Sequence, residues 1–327
     1  MNRTRNLINA AMALLAIGAT FVSATQAQDY PTRSIRMVVP FAPGGGTDFS
    51  ARTIAQAMTD SFGQTVIVDN KPGAATNIGA EIVARAAPDG YTLLLSSGST
   101  FAINPAISKK TPYDTFRDFT PVGSFSRYVL LLVVAPDVPV KSVQEFIAYA
   151  KARPGKVSFG SPGLNSSHQL AMELFAQRTG LSMIHVPFKG AAPAMQEIIA
   201  GRVNSMFQDL ATAQQQIRAG KMRALGVASD KRFPSLPEVP TVSEAGVPGF
   251  DASAWIGIVA PTGTPAAIVN KLNAEMNKVL ANPALLQKLA DTGAEPLPGT
   301  PAQFGALLRS EADKWADVIR KAKLAEE

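Results

Sequence analysis

The sequence has no cysteine, only two histidines and two tryptophans, and only 17% charged residues in 327. Without cysteine there is no disulfide, no thiolate ligand for zinc or an iron–sulfur cluster, and no thiol nucleophile. With His168 and His185 alone, a metal site built wholly of histidines is excluded, although one catalytic triad stays formally open. Aromatic residues are sparse at 7%, yet apolar residues reach 46% and run along the whole chain. The few aromatics therefore do not imply disorder, and a chain this long can bury a substantial core in one or two domains.

Long apolar runs are confined to the beginning. Arg3 and Arg5 precede the run Ala10 to Val22, which is followed by small residues ending in Ala24-Thr25-Gln26-Ala27. This reads as a secretory signal peptide over residues 1–27, cleaved before Gln28, because the apolar run is too short to span hydrocarbon. Its removal leaves 29 basic against 25 acidic residues, so the formal +6 becomes +4. Basic pairs such as Lys109-Lys110 and Lys231-Arg232 are scattered, and no basic stripe with aromatic partners is present. Nucleic acid is therefore not an expected partner. A soluble periplasmic protein that meets small solutes is expected, with neither metal nor cofactor.

What the sequence does have is strand, turn and helix in alternation. Strands are expected at 35–39, 65–68 and 91–95, with helices at 47–62 and 77–87 between them. In the first helix Phe49, Ile54, Ala57 and Met58 are placed on the buried side. An extended stretch from Val122 to Val134 reads as a crossing between domains and leads to a helix over 142–151. The alternation restarts with strands at 157–159, 183–186, 203–207 and 223–227, and helices at 166–178, 192–200 and 212–219. The proline-rich segment Phe233 to Pro240 reads as a return crossing. A strand at 255–259 follows, then helices at 265–280, 283–292 and 301–324 that rejoin the first domain. The expected fold class is α/β, with two lobes, two crossings and a ligand cleft between them. Domain 1 covers 28–124 and 236–327, and domain 2 covers 125–235.

Open α/β sheets bind ligands beyond the carboxyl ends of their strands, so the loops there carry the functional reading. Between strand 35–39 and its helix lies Pro40-Phe41-Ala42-Pro43-Gly44-Gly45-Gly46-Thr47-Asp48. Its glycines let backbone approach a ligand, and the helix start offers free N–H groups to a carboxylate or phosphate. The spacing is no dinucleotide fingerprint, since the third glycine of that motif would fall on Phe49. A plain turn with Thr47 or Asp48 capping the helix is the competing reading. The loop Phe159 to His168 repeats the arrangement in the other half, with Ser161, Asn165, Ser166 and His168 as candidates. Ser161 is no nucleophile elbow, because the glycine such an elbow needs two residues earlier is Phe159. His168 reads as a hydrogen-bonded structural or ligand-shaping residue, and His185 as a satisfied core histidine.

Three more loops suit the same cleft. Ser97, Ser99 and Thr100 can bond a ligand oxygen or form a polar loop. Gly190 and Ala191 follow Lys189, itself an anion partner or a solvated charge. Asp209 can accept from an ammonium or hydroxyl, or cap the next helix.

Ordered stretches along nearly the whole chain resemble a known family. They include Tyr30-Pro31, the Pro40 to Asp48 loop, Asn70-Lys71-Pro72-Gly73-Ala74 with Ile78-Gly79, and Pro88-Asp89-Gly90-Tyr91-Thr92-Leu93. Further matches are Phe159-Gly160-Ser161 with His168, Val186-Pro187-Phe188-Lys189-Gly190, Ala219-Gly220-Lys221, Leu236-Pro237 through Thr241, and Trp255 with Ala260 to Pro265. The sequence resembles the tripartite tricarboxylate transporter solute-binding receptors, the Bug or TctC-like proteins. The resemblance implies a periplasmic protein, monomeric and without catalysis, that closes around a small organic acid and hands it to membrane permease subunits. It implies that backbone amides and ordered waters at Phe41 to Thr47 hold the ligand carboxylate, opposite the loops at Ser161 to His168 and Gly190. It also matches Asp209 to an aspartate facing an amino group or hydroxyl. Phe188 departs from a more usual tyrosine, and Gln208-Asp209-Leu210 from the commonest form of its segment. Two alternatives stand beside transport: a receptor reporting to a sensor kinase, and an exported hydrolase, for which the scarcity of histidine leaves little chemistry.

Overall fold

The structure is a computed structural model that describes residues 30–325, apart from Gly45, Ser235, Thr292 and the side chains of Ala211 and Asp291. The signal-peptide assignment, residues 1–27, lies outside the described residues, as does the candidate ligand residue Gly45.

Strand β1 (Ile35–Val39) is almost wholly buried because it runs parallel between β2 (Val66–Asn70) and β3 (Thr92–Ser97) with helices on both faces. Helix α1 (Gly46–Phe62) connects β1 to β2, and α2 (Asn77–Ala84) connects β2 to β3. In α1 the buried residues are Asp48, Ser50, Ala51, Ile54, Ala55 and Met58. Phe49, expected among them, is 46% exposed. At 3.6 residues per turn it lies about 140° around the helix from Ile54, off the buried stripe.

Short helices α3 (Asn104–Ile107) and α4 (Thr115–Asp118) lead into β4 (Phe119–Tyr128). Only Val129 separates β4 from β5 (Leu130–Val134), and there the chain leaves one sheet for another. Tyr128 pairs with Ala254 in the first sheet, whereas Leu130 pairs with Asp209 in the second. The second half then runs α5 (Val143–Lys151), β6 (Ser158–Ser161), α6 (Ser167–Thr179), β7 (Ile184–Pro187), α7 (Ala191–Ile199), β8 (Ser205–Asp209), α8 (Leu210–Arg218) and β9 (Arg223–Val227). Its sheet has the order β7-β6-β8-β5-β9. The chain returns through β10 (Ala254–Pro261), α9 (Ala266–Leu280), α10 (Pro283–Asp291), β11 (Ala294–Pro296) and α11 (Pro301–Lys321), completing a first sheet of order β11-β4-β10-β3-β1-β2.

Three features differ from the expectation. Strand β8 lies two residues later than 203–207, because antiparallel pairing with β5 sets its register from Ser205 to Asp209. Leu236, Val239, Val242, Val247 and Phe250, expected in the first domain, bury their side chains in the core of the second sheet. Phe250 stacks on Phe207 at 5.7 Å and meets Phe175 edge-on at 5.9 Å, and this aromatic packing keeps the chain on the second sheet until β10. Third, α11 does not simply rejoin the first sheet. It is about 30 Å long at 1.5 Å per residue, long enough to pack Phe304 and Leu308 with the first sheet and Trp315, Val318 and Ile319 with the second. Gly257 lets it dock: a Cβ there would stand 2.2 Å from the Phe304 ring.

Candidate ligand cleft

The loop between β1 and α1 is braced from two directions. Asp48, in the first turn of α1, accepts hydrogen bonds from Gly44 N at 2.9 Å, Arg52 Nε at 3.0 Å and Asn70 Nδ2 at 2.9 Å. Asn70, at the end of β2, also donates to Phe41 O at 3.1 Å. Burial pushes the Asp48 carboxyl up, but Arg52, Gly44 and Asn70 together hold it below the usual carboxylate range. Asp48 thus stays ionised and shapes the helix entrance. Around it Pro43, Gly44 and Gly46 are exposed, and Phe41 and Thr47 half-buried.

The next loop rests on a buried hydroxyl network. Ala74, Ala75 and Thr76 are all left-handed, with φ of 46°, 52° and 76°, which costs non-glycine residues about 1–2 kcal/mol each. Asn104 Nδ2 holds them by donating to Ala75 O and Thr76 Oγ1. Thr100 Oγ1 bonds Thr76 Oγ1 at 2.8 Å and Ser96 Oγ at 2.5 Å. Thr100, expected to face ligand, is fully buried with its hydroxyl committed to this network, so it supports the loop. Ser97 and Ser99 keep partial exposure.

In the second sheet, Ser161 is also fully buried. Its Oγ donates to Gly163 O at 2.8 Å and lies 2.7 Å from His185 Nε2, so the hydroxyl shapes the loop and has no surface for a substrate. His185 sits half-buried on the edge strand β7, not in the core; its ring stacks on Phe159 at 4.8 Å and burial lowers its pKa. Asn165, left-handed at φ 62°, donates its N–H to Gln169 Oε1, and Ser166 Oγ caps α6 by accepting from Gln169 N. Gly190 N donates to Pro162 O at 2.8 Å, tying the loop before Ala191 to this one, while Lys189 is exposed.

Asp209 occupies the cap position of α8 but makes no capping bond. Its Oδ1 faces His168 Nε2 at 3.3 Å instead. Burial pushes the Asp209 carboxyl up, yet His168 beside it holds it below the ordinary range.

The two halves meet at Tyr128 and again at Ser167. The Tyr128 hydroxyl bonds Ser50 in the second turn of α1, and the Asp209 charge reaches it and adds to the burial that raises its pKa. A cavity of about 30 Å³ brings Ser97, Gly98 and Ser99 opposite Ser167, against Trp255 and Trp315. The Ser97 to Ser99 loop and the start of α6 therefore line one small cavity, and Tyr128 stands between Ser50 on α1 and the charge of Asp209. Tyr128, Ser50 and Asn70 were not among the candidates; Asn70 appears only within the Asn70-Lys71-Pro72-Gly73-Ala74 stretch, and Tyr128 only within the extended stretch from Val122 to Val134. Among the described residues, no group of three or more His, Asp or Glu could hold a metal ion, and no helix is long and apolar enough to cross a membrane.

Comparison with known proteins places this geometry. Residues 50–324 match the profile of the tripartite tricarboxylate transporter family receptor. Protein BugT of Bordetella pertussis is 38% identical over 322 residues, 98% of each chain. Among solved structures, Rpa4515 of R. palustris with adipate is 38% identical with a TM-score of 0.79, covering 91% of this chain and 99% of its own. MatC from Rhodopseudomonas palustris with bound malate is 35% identical with a TM-score of 0.75, covering 89% and 100%. The chain therefore belongs to the tripartite tricarboxylate transporter receptor family, whose members are two-lobed solute-binding proteins and not enzymes.

Proposed function

We propose that this protein is a periplasmic receptor that captures a small organic acid between its two sheets and presents it to the membrane subunits of a tripartite tricarboxylate transporter. The observation that carries the reading is the Tyr128 hydroxyl, which bonds Ser50 on α1 and feels the charge of Asp209, itself 3.3 Å from His168 at the start of α6. Both helices offer an N-terminus, where backbone N–H groups and the helix dipole favour a carboxylate. Holding an anion with amides avoids immobilising long side chains, and closing the cleft strengthens those bonds by removing water. The structures of relatives with adipate and with malate support a small acid as ligand.

In this reading the ligand touches Phe41, Pro43, Gly44, Gly45, Gly46 and Thr47 on one side, with Ser97 and Ser99 beside them. Ser166, His168, Gly190, Ala191 and Asp209 face it from the other side, and Thr100, Ser161 and Asn165 support the loops. The lobes are 28–128 with 253–327, and 130–252, hinged at Val129 and near Ser253. Residues 1–27 export the chain.

A thermal-shift panel of mono-, di- and aromatic carboxylic acids and amino acids tests the proposal. A ligand at a hundred times its Kd stabilises by about 2.7 kcal/mol, a clear rise in Tm. A panel without any shift would overturn the reading.

A further inference from the structure

The end of the second lobe away from Asp209 collects cations that are scattered in the sequence. Helices α5, α6, α7 and α8 each run back to the start of the next strand, β6, β7, β8 and β9. Ser158 pairs with Ile184, Phe159 with Ser205, and Val134 with both Ser205 and Arg223, so these four strands begin at one level. The four helix ends and their turns therefore share one pole of a five-stranded sheet, about 20 Å wide. Gly155 N donates to Ser182 O at 2.9 Å and ties two of the turns together.

Lys151, Arg153, Lys156, Arg178, Arg218 and Lys221 stand on this pole, all exposed. Among the described residues none of the six makes an ion pair. The acids at this end do not balance them: Glu197 is bonded to Arg202, Glu238 shares a groove with Arg223, and Asp137 lies against Gly201. Arg178 also faces Lys314 and Lys321 across a cavity of about 490 Å³, where the lining acid, Asp317, is held by Arg320 and Lys321.

A cation in the last turn of a helix offsets the negative end of its dipole. That accounts for Lys151, Arg178 and Arg218. Arg153, Lys156 and Lys221 lie past the helix ends, and like charges gathered without counter-charges repel one another. An anionic surface in contact with the pole removes that cost, since each charge acts over about 8 Å at physiological ionic strength. Among the described residues, Ile184 is the one large apolar side chain exposed at this end, too little to anchor a protein partner. Tyr149, the ring beside the cations, already carries Arg153 at 4.0 Å, which leaves no platform for stacked bases. A broad cationic face of this kind suits a layer of charged headgroups.

We infer that this pole is a membrane-contact surface that takes anionic phospholipid headgroups. The loop at Ser161 and Asp209 lie at the other ends of β6 and β8 and stay free to meet solute. Contact rests on charge and is reversible. It stands apart from the receptor function proposed above, because no residue assigned to the ligand takes part.

Co-sedimentation of the purified full-length mature protein with vesicles tests this. Vesicles of phosphatidylcholine and phosphatidylglycerol in equal parts should bind it about tenfold or more tighter at low salt than vesicles of phosphatidylcholine alone, and physiological salt should weaken that binding severalfold. In Lys151→Glu/Lys156→Glu/Lys221→Glu the partition coefficient on the mixed vesicles should fall about thirtyfold or more. Lys109→Glu/Lys110→Glu/Lys288→Glu changes net charge equally at exposed lysines of the first lobe, and should stay within about threefold of wild type. Circular dichroism and Tm of both variants check their folds, and the wild-type comparison of the two vesicles stands whether or not a variant folds. Equal binding of the wild type to both vesicles would overturn the surface. An equal loss in the two variants would overturn it as well, by reducing the effect to net charge. Either result leaves the ligand-binding panel and its reading untouched.

Discussion

Trp255 and Trp315 donate their indole N–H groups to the same atom, Glu311 Oε2, at 3.1 and 2.9 Å. The two rings belong to different cores. Trp255, on β10, stacks on Phe101 and meets Phe304 edge-on in the first sheet's core, whereas Trp315 packs in the core of the second. Glu311 is buried, and Lys314 pairs with its other oxygen. One carboxylate on a helix that spans both lobes thus joins an indole from each, beside the cavity where Ser97 to Ser99 face Ser167.

Glu311→Ala would leave two buried indole N–H groups unpaired and strand Lys314. It should lower unfolding stability by about 3–5 kcal/mol, whereas Glu311→Gln, which keeps an acceptor, should cost about 1–2 kcal/mol. Urea denaturation measures both. The chain has only these two tryptophans, so the emission maximum should also move in Glu311→Ala; an unchanged spectrum and midpoint would refute the shared bond.

Gly79 packs against the start of the loop between β1 and α1. A Cβ there would lie 2.8 Å from Pro40 Cβ and 3.0 Å from both Pro40 Cα and Lys71 O. Backbone cannot yield as a flexible side-chain tip does, so Gly79→Ala must shift α2 or the start of the Phe41 to Thr47 loop. It should cost about 1–3 kcal/mol of stability and weaken ligand binding severalfold. A calorimetric Kd equal to wild type in a measurably destabilised variant would separate this loop from the ligand site.

Asp48 should make stability depend on pH. Its folded pKa is depressed, so its contribution is present above the unfolded aspartate value of about 3.9 and is lost as pH falls through the lower folded value. Asp48→Asn removes the ionic bond to Arg52, so wild type should exceed it by about 1–2 kcal/mol at neutral pH. That gap should close below the ordinary aspartate range. Urea midpoints of both proteins from neutral pH downward would show it, and a gap that stayed constant would contradict the assignment.

Much of the fold was legible in the residues. The strands at 35–39 and 223–227 agree with expectation at both ends, because each is an apolar run bounded by turn or polar residues. The loops at Pro40 to Asp48 and Phe159 to His168 stood out because glycine, proline and serine between a strand and a helix have few other uses. Elsewhere local pattern misled. Phe49 is apolar but lies off the buried stripe, and β8 slid two residues because its partner β5 sets the register. The left-handed run Ala74 to Thr76 carries no local mark; Asn104 and Thr100 hold it from later in the chain. Asp209 shows the same limit: cap and ligand contact are equally open in the sequence, and the structure gives it no capping bond but a neighbour in His168 at 3.3 Å.

The sequence by itself determined the alternation of strands and helices, the absence of thiol and all-histidine metal chemistry, and the loops able to bring backbone N–H groups to an anion. These follow from side-chain periodicity and residue chemistry, which act over a few residues. Only the tertiary structure decided that residues 236–252 stay with the second sheet, that α11 ties both lobes together, and that Asp209 faces His168 at the start of α6. Those outcomes depend on which distant side chains find room and partners together, a property of packing that no single segment contains.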